Sequence, residues 1–226
     1  MYNHYFWFLL LFVNFGFIIL FYRLFGKMGL YCWIVISVII ANIQVIKTVE
    51  IFGFVATLGN IVYGSSFLVT DILNENYGKK AAKKAVYLGF TTIFCVVVLM
   101  QLAILFIPHK SDFSQNSLIT IFSFMPRIAF ASMIAFVLSE FHDVWAYSLL
   151  REKSKKIWFA NNLSTIISQL IDTLIFVAIA FWGIFELPII IDIFFTTYVF
   201  KLIVALLDSP FLYLSKYIFR KYNLEN

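Results

Sequence analysis

The sequence predicts an all-α integral membrane protein, a bundle of about seven transmembrane helices with the N-terminus outside and the C-terminus cytoplasmic. Three observations carry that expectation. Of 226 residues, 62% are hydrophobic, and a spanning helix takes roughly 20 apolar residues, so there is room for about seven spans and little else. Only 13% of residues are charged and the mean hydropathy is +0.93. Soluble domains carry about a quarter charged residues, so a soluble globular domain is excluded, and a disordered chain still more firmly. The third observation is charge placement. With the N-terminus outside, the cytoplasmic segments collect Arg23 and Lys27, then Lys79, Lys80, Lys83 and Lys84, then Arg151, Lys153, Lys155 and Lys156, and finally Lys216, Arg220 and Lys221. Lys110 alone falls in an outer loop, as the positive-inside rule requires.

Apolar runs between charged or Gly/Pro breaks place helices near 6–25, 30–47, 53–72, 85–107, 122–148, 162–185 and 191–214. The first segment lacks the basic flank and small-residue cleavage site of a signal peptide, so it reads as a span. Short loops leave nothing outside the membrane large enough to fold alone, and residues 1–226 read as one domain. Cys32 and Cys95 lie in separate apolar runs, and His4, His109 and His142 are far apart. Neither a disulfide framework nor a metal site follows from that spacing, and no cofactor is expected. The net charge of +5 belongs to cytoplasmic loops rather than to nucleic-acid binding.

An ionisable group in hydrocarbon is costly and marks a functional candidate. Counting about 1.5 Å per residue puts Asp172 of the sixth helix, Lys201 of the seventh, Asn42 of the second and Tyr63 of the third near one midplane depth. Asp71, Glu75, Glu140 and Asp143 fall toward the cytoplasmic end, with Lys47, Glu50 and Arg127 toward the outer end. In the sixth helix Asn162, Thr165, Gln169 and Asp172 share a stripe about 80° wide, so one face looks into the bundle or a cavity. The plainer use of Gln169 and Asp172 is interhelical hydrogen bonding, and that of Asp172 with Lys201 is a buried ion pair, which can coexist with ligand binding. The third helix, 52–71, carries three glycines with Asn60, Ser65, Ser66 and Thr70, and suits tight packing or a broken, cavity-lining helix. Glu75 and Lys79 read as a surface i,i+4 pair. There is no phosphate-binding GxxxxGK[ST] loop, HExxH or GxSxG on a suitable element, so ATP hydrolysis and hydrolase chemistry have no visible machinery.

The segments ANIQVIKTVEIFG (41–53), TDILNENYGKKAAKKA (70–85), PRIAFASMIAFVLSEFHDVWAYSLL (126–150), NNLSTIISQLIDTLIFVAIAFWG (161–183) and TTYVFKLIVALLDSP (196–210) strongly resemble the queuosine precursor transporter family, also known as vitamin uptake transporters. The likeness covers most of 41–217, a six-helix core behind an additional first helix. It implies uptake of a 7-deazaguanine (the cyano or aminomethyl precursor, or queuine) across the bacterial inner membrane, without an ATPase of its own. Carried onto matching positions, it implies a functional set of Asn42, Lys47, Asp71, Glu75, Arg127, Asp143, Ser164, Asp172 and Lys201. Such a ligand is planar and edge-polar. A carboxylate can accept from its N1–H and exocyclic amine, an amide or lysine can serve O6, and aromatic faces can stack. Asn42, Tyr63, Gln169, Asp172 and Lys201 supply those chemistries as the expected substrate site. Lys47, Asp71, Glu75, Arg127, Asp143 and Ser164 are expected in gating or structural ion networks, with Asp71, Glu75 and Asp143 near Lys79 and Lys80. The expected partners are the small-molecule substrate and the lipid bilayer; no ATPase partner is expected, and a homo-oligomer is compatible with the sequence. The competing readings are the substrate-binding subunit of an energy-coupling-factor vitamin transporter, a retinal photoprotein with Lys201 in its seventh helix, and an intramembrane enzyme. Thr197 stands four residues before Lys201, where a photoprotein's counter-ion would be expected, and the missing motifs disfavour the enzyme.

Overall fold

The computed structural model describes the backbone of residues 2–153 and 157–222, and their side chains except at 140, 143, 144, 147, 148 and 150–165. Helix α1 (Asn3–Gln44) contains 42 residues, about 63 Å if straight against a hydrocarbon layer of about 30 Å. It is not straight. Gly26 adopts φ 56°, ψ −137°, and the Phe21 and Phe17 rings meet Trp33 at 5.3 and 5.8 Å, where a continuous helix would hold Phe21 and Trp33 about 18 Å apart. The chain therefore doubles back, giving the two helices expected over 6–25 and 30–47. Gly29 makes the close turn feasible, since a Cβ there would stand 2.1 Å from the Phe21 carbonyl oxygen.

Residues 53–58 depart from the expected third helix. Strands β1 (Thr48–Ile51) and β2 (Phe54–Thr57) form an antiparallel hairpin with Thr48 opposite Thr57 and Ile51 opposite Phe54. Phe52 (φ 54°) and Gly53 (φ 84°) make its two-residue turn, both with the positive φ that matches the twist of the strands. Thr48, Val49, Ile51, Val55 and Thr57 are β-branched, which favours this pleated form over helix. The helix begins only at Gly59: α2 runs Gly59–Tyr77. After it come α3 (Lys79–Ile104), α4 (Gln115–Phe122), α5 (Met125–Lys153), α6 (Ile157–Phe181), α7 (Leu187–Leu207) and α8 (Ser209–Tyr222). The run expected at 191–214 thus splits at Asp208, just before Pro210, and α4 precedes the run expected at 122–148.

Helix α2 is the centrepiece, packed against α1, α3, α7 and α8. Its polar residues suit that place. Ser65, Ser66 and Thr70 donate to the carbonyls of Val62, Tyr63 and Phe67 at 2.6–2.9 Å, so their hydroxyls are satisfied locally, while Ile61, Leu68, Val69, Ile72 and Leu73 are buried. Gly64 sits against Val204 of α7, where a Cβ would already touch at 3.3 Å. Among the described residues, four helical stretches are long and apolar enough to cross a membrane, Asn3–Gln44, Lys79–Ile104, Gln115–Ser139 and Leu187–Tyr222, and Ile166–Phe181 is a shorter apolar helix. Their outer faces expose Phe94, Leu99, Phe130 and Leu206, a surface suited to lipid rather than water.

Candidate functional site

Five chain segments converge on one cavity. Ala41, Asn42 and Val45 come from the end of α1, Gly59, Asn60 and Tyr63 from α2, and Ile128, Ser132 and Ala135 from α5. Asp172 and Phe176 of α6 and Thr197 and Lys201 of α7 complete the wall. The space that a water-sized sphere can enter measures about 40 Å³, below the roughly 300–1,000 Å³ of small-molecule clefts, so the walls must part to admit a ligand larger than water. Each contributing helix presents residues one turn apart, which is why these positions share a wall.

Asp172 and Lys201 are each 6% exposed and form an ion pair through Oδ2 and Nζ. The equal depth read from the sequence is thereby realised as contact. Neither charge is left uncompensated, the condition a buried ion must meet. Lys201 Nζ also donates to Thr173 Oγ1 at 3.3 Å and lies 5.6 Å from the Tyr63 ring centroid. An ammonium has three hydrogens, so one is left over by the acceptors among the described residues. On the other oxygen, Ser139 Oγ stands 3.5 Å from Asp172 Oδ1 but 3.0 Å from the Phe136 carbonyl oxygen. A hydroxyl has one hydrogen and the carbonyl is the better partner, so Oδ1 keeps accepting capacity.

Around that pair, Asn60 Nδ2 donates to Thr197 Oγ1 at 2.8 Å, joining α2 to α7. Asn42 Nδ2 donates to the Val38 carbonyl oxygen at 2.8 Å. The hairpin stands at the cavity rim, since Val45 and Gly59 flank it and line the space. It is fastened to α7: the Val55 N–H donates to Asp192 Oδ2 at 3.4 Å, and the Thr196 hydroxyl lies 3.1 Å from the Val55 carbonyl oxygen. Among the described residues no group of three or more His, Cys, Asp or Glu is placed to hold a metal ion.

Residues 57–215 match the family described as "Putative vitamin uptake transporter". The chain belongs to that family. Among curated proteins, a relative from Bacillus subtilis (strain 168), named "Probable queuosine precursor transporter", is 46% identical over 219 residues, 96% of each chain. The "Queuosine precursor transporter" of Escherichia coli (strain K12) is 29% identical over 143 residues, 63% of this chain and 62% of that one. A Haemophilus influenzae "Probable queuosine precursor transporter" is 32% identical over 133 residues, 58% of this chain and 54% of its own. No solved structure matches. As a member of the vitamin uptake transporter family, the chain is a multi-pass bacterial membrane transporter and not an enzyme.

Of the residues expected to bind substrate, Asn42, Tyr63, Asp172 and Lys201 line the cavity of this transporter. Gln169 does not; it lies one turn from Asp172 with its amide oxygen buried and unpartnered among the described residues. The gating set is dispersed. Arg127 donates through Nε to the Ile179 carbonyl oxygen (2.6 Å) and through Nη2 to that of Trp182 (2.5 Å), so it caps the C-terminus of α6, where a cation complements the helix dipole. Glu75 pairs with Lys216 of α8 at 2.7 Å and not with Lys79 or Lys80. The physical reason is Gly78, whose φ of 82° and ψ of 168° end α2 and destroy the i,i+4 geometry. Lys47 is exposed beside the hairpin and Asp71 is exposed on α2; neither forms an ion pair among the described residues. The side chains of Asp143 and Ser164, with Glu140, Asn162 and Thr165, lie outside the described residues.

Asn60, Ser132, Phe176 and Thr197 were absent from the expected site. Periodicity held the signal for three of them: Asn60 precedes Tyr63 by three residues, Thr197 precedes Lys201 by four, and Phe176 follows Asp172 by four, all on the same helix faces. Ser132 of α5 had no such marker.

Proposed function

We propose that this transporter takes up a 7-deazaguanine base, such as the 7-cyano or 7-aminomethyl queuosine precursor or queuine, across the bacterial inner membrane by alternating access and without an ATPase of its own. The observation that carries this reading is the buried Asp172–Lys201 pair on a cavity with aromatic walls. The names of the relatives supply the ligand class. In this account Lys201 donates its spare hydrogen to O6, Asp172 Oδ1 accepts from the N1–H and amine edge, and Tyr63 and Phe176 offer their faces to the ring. Seven spans with the N-terminus outside fit both the charge bias and the doubling of α1 at Gly26, and residues 1–226 act as one domain with a core at about 41–217. The test is equilibrium binding to the purified transporter. Labelled 7-deazaguanines are expected to bind and to be displaced by one another but not by adenine, which presents an amine where O6 should be; equal displacement by adenine would defeat the assignment.

A further inference from the structure

Asn42 holds a feature that the ion pair does not use. Its amide nitrogen donates to the Val38 carbonyl oxygen at 2.8 Å, and a carbonyl can only accept, so the orientation of the amide is fixed. Oδ1 must then point away from Val38, and it is buried with no hydrogen-bond partner among the described residues while the residue lines the cavity. A buried acceptor without a partner is unfavourable and is relieved by any ligand that brings a donor. The surroundings favour the same polarity. Asn42 stands in the last turn of α1, whose C-terminal carbonyls form the negative end of that helix, with Lys201 elsewhere in the wall as the cationic donor. The sequence allowed an amide here to serve O6; the bond to Val38 occupies one of the two amide hydrogens, and the unpartnered atom of the side chain is the acceptor Oδ1.

We propose that Asn42 Oδ1 is a second acceptor for the substrate's N–H edge and sets specificity for ligands carrying a donor at that position. This rests on the deazaguanine reading above and assigns to Asn42 a donor that Asp172 leaves unread: the second hydrogen of the 2-amino group or N9–H. The substitution Asn42→Leu keeps shape and removes the acceptor, and Asn42→Ala serves if the first variant is poorly produced. The oxygen is unpaired when the cavity is empty, so either change costs the unliganded protein only the Nδ2 bond to the Val38 carbonyl, and a small drop in thermal stability is expected of both.

The test compares binding of 7-cyano-7-deazaguanine with that of its 2-deamino and 9-methyl analogues. In the wild-type protein, one donor-blocked analogue is expected to bind about 5- to 150-fold more weakly than the parent, the range for leaving a buried polar group unpaired. In Asn42→Leu that ratio should collapse to within about twofold, because the parent itself loses affinity. If all the analogue ratios persist in Asn42→Leu, or if every ligand weakens by the same factor, the assignment is overturned and Asn42 only shapes the wall. A wild-type protein that binds no deazaguanine would instead refute the functional reading on which this rests.

Discussion

Replacing Asp172 by asparagine tests the pairing at the centre of the cavity. The substitution keeps the shape of the side chain but removes the charge, leaves one accepting oxygen, and sets an amide against the donors of the ligand. Oδ2 is committed to Lys201, and among the described residues Oδ1 has only the 3.5 Å contact to Ser139, so Oδ1 is the atom with capacity to spare. Loss of a charge-assisted hydrogen bond costs about 1.5–3 kcal/mol, roughly 10- to 150-fold in affinity. Stability moves separately, because removing one partner of a buried ion pair costs about 3–5 kcal/mol by leaving the other charge uncompensated, and removing both charges relieves that cost. The assay is therefore a cycle of Asp172→Asn, Lys201→Met and the double variant, each followed by thermal unfolding and by equilibrium binding of labelled 7-deazaguanine. The expected outcome is that the double variant regains stability while binding stays lost. Full-strength binding by well-folded Asp172→Asn protein would refute the reasoning and leave Asp172 as an interhelical strut.

Gly29→Ala should prevent folding, because its Cβ would stand 2.1 Å from backbone, whereas Gly16→Ala, with nothing within 4 Å, should be neutral or gain about 0.5–1 kcal/mol; detergent-resistant yield and thermal unfolding read the contrast. Arg127→Ala should destabilise by about 1–3 kcal/mol through the uncapped carbonyls of Ile179 and Trp182 while leaving ligand affinity within a few-fold, as unfolding and binding measured on one preparation would report. Glu75→Gln should change stability by no more than about 1 kcal/mol, since Glu75 and Lys216 are 49% and 36% exposed; a larger loss in thermal unfolding would mean that α8 depends on this pair. Single cysteines placed at Asn3 and Lys221, with Cys32 and Cys95 replaced, should be labelled from outside and inside respectively, and labelling of both from one side would contradict the proposed topology.

The bundle was legible because hydrocarbon demands long apolar runs, and those runs are visible without any knowledge of packing. Depth was legible for the same reason: a residue's distance along a spanning helix is its distance across the bilayer, which brought Asp172 and Lys201 together before their helices were seen to pack. Contacts between elements were less accessible. The hairpin escaped because strands of four residues beside a glycine merge into the neighbouring apolar helix when only hydropathy is read, and its fastening to Asp192 and Thr196 lies far away in sequence. Arg127 looked like a gating charge because the sequence does not reveal that the end of α6 packs beside it. Glu75 found Lys216 rather than Lys79 because one positive-φ glycine interrupts the helix that would have joined them. The acceptor role of Asn42 depends on which carbonyl claims its nitrogen, a matter of side-chain geometry that periodicity does not encode.

Counter-flow uptake in proteoliposomes holding only this protein tests the central claim most directly. Vesicles preloaded with unlabelled 7-cyano-7-deazaguanine should accumulate the labelled base from outside without ATP, and vesicles carrying Asp172→Asn should not. Accumulation that required ATP and an added ATPase, or no accumulation of any 7-deazaguanine by well-folded wild-type protein, would contradict the account.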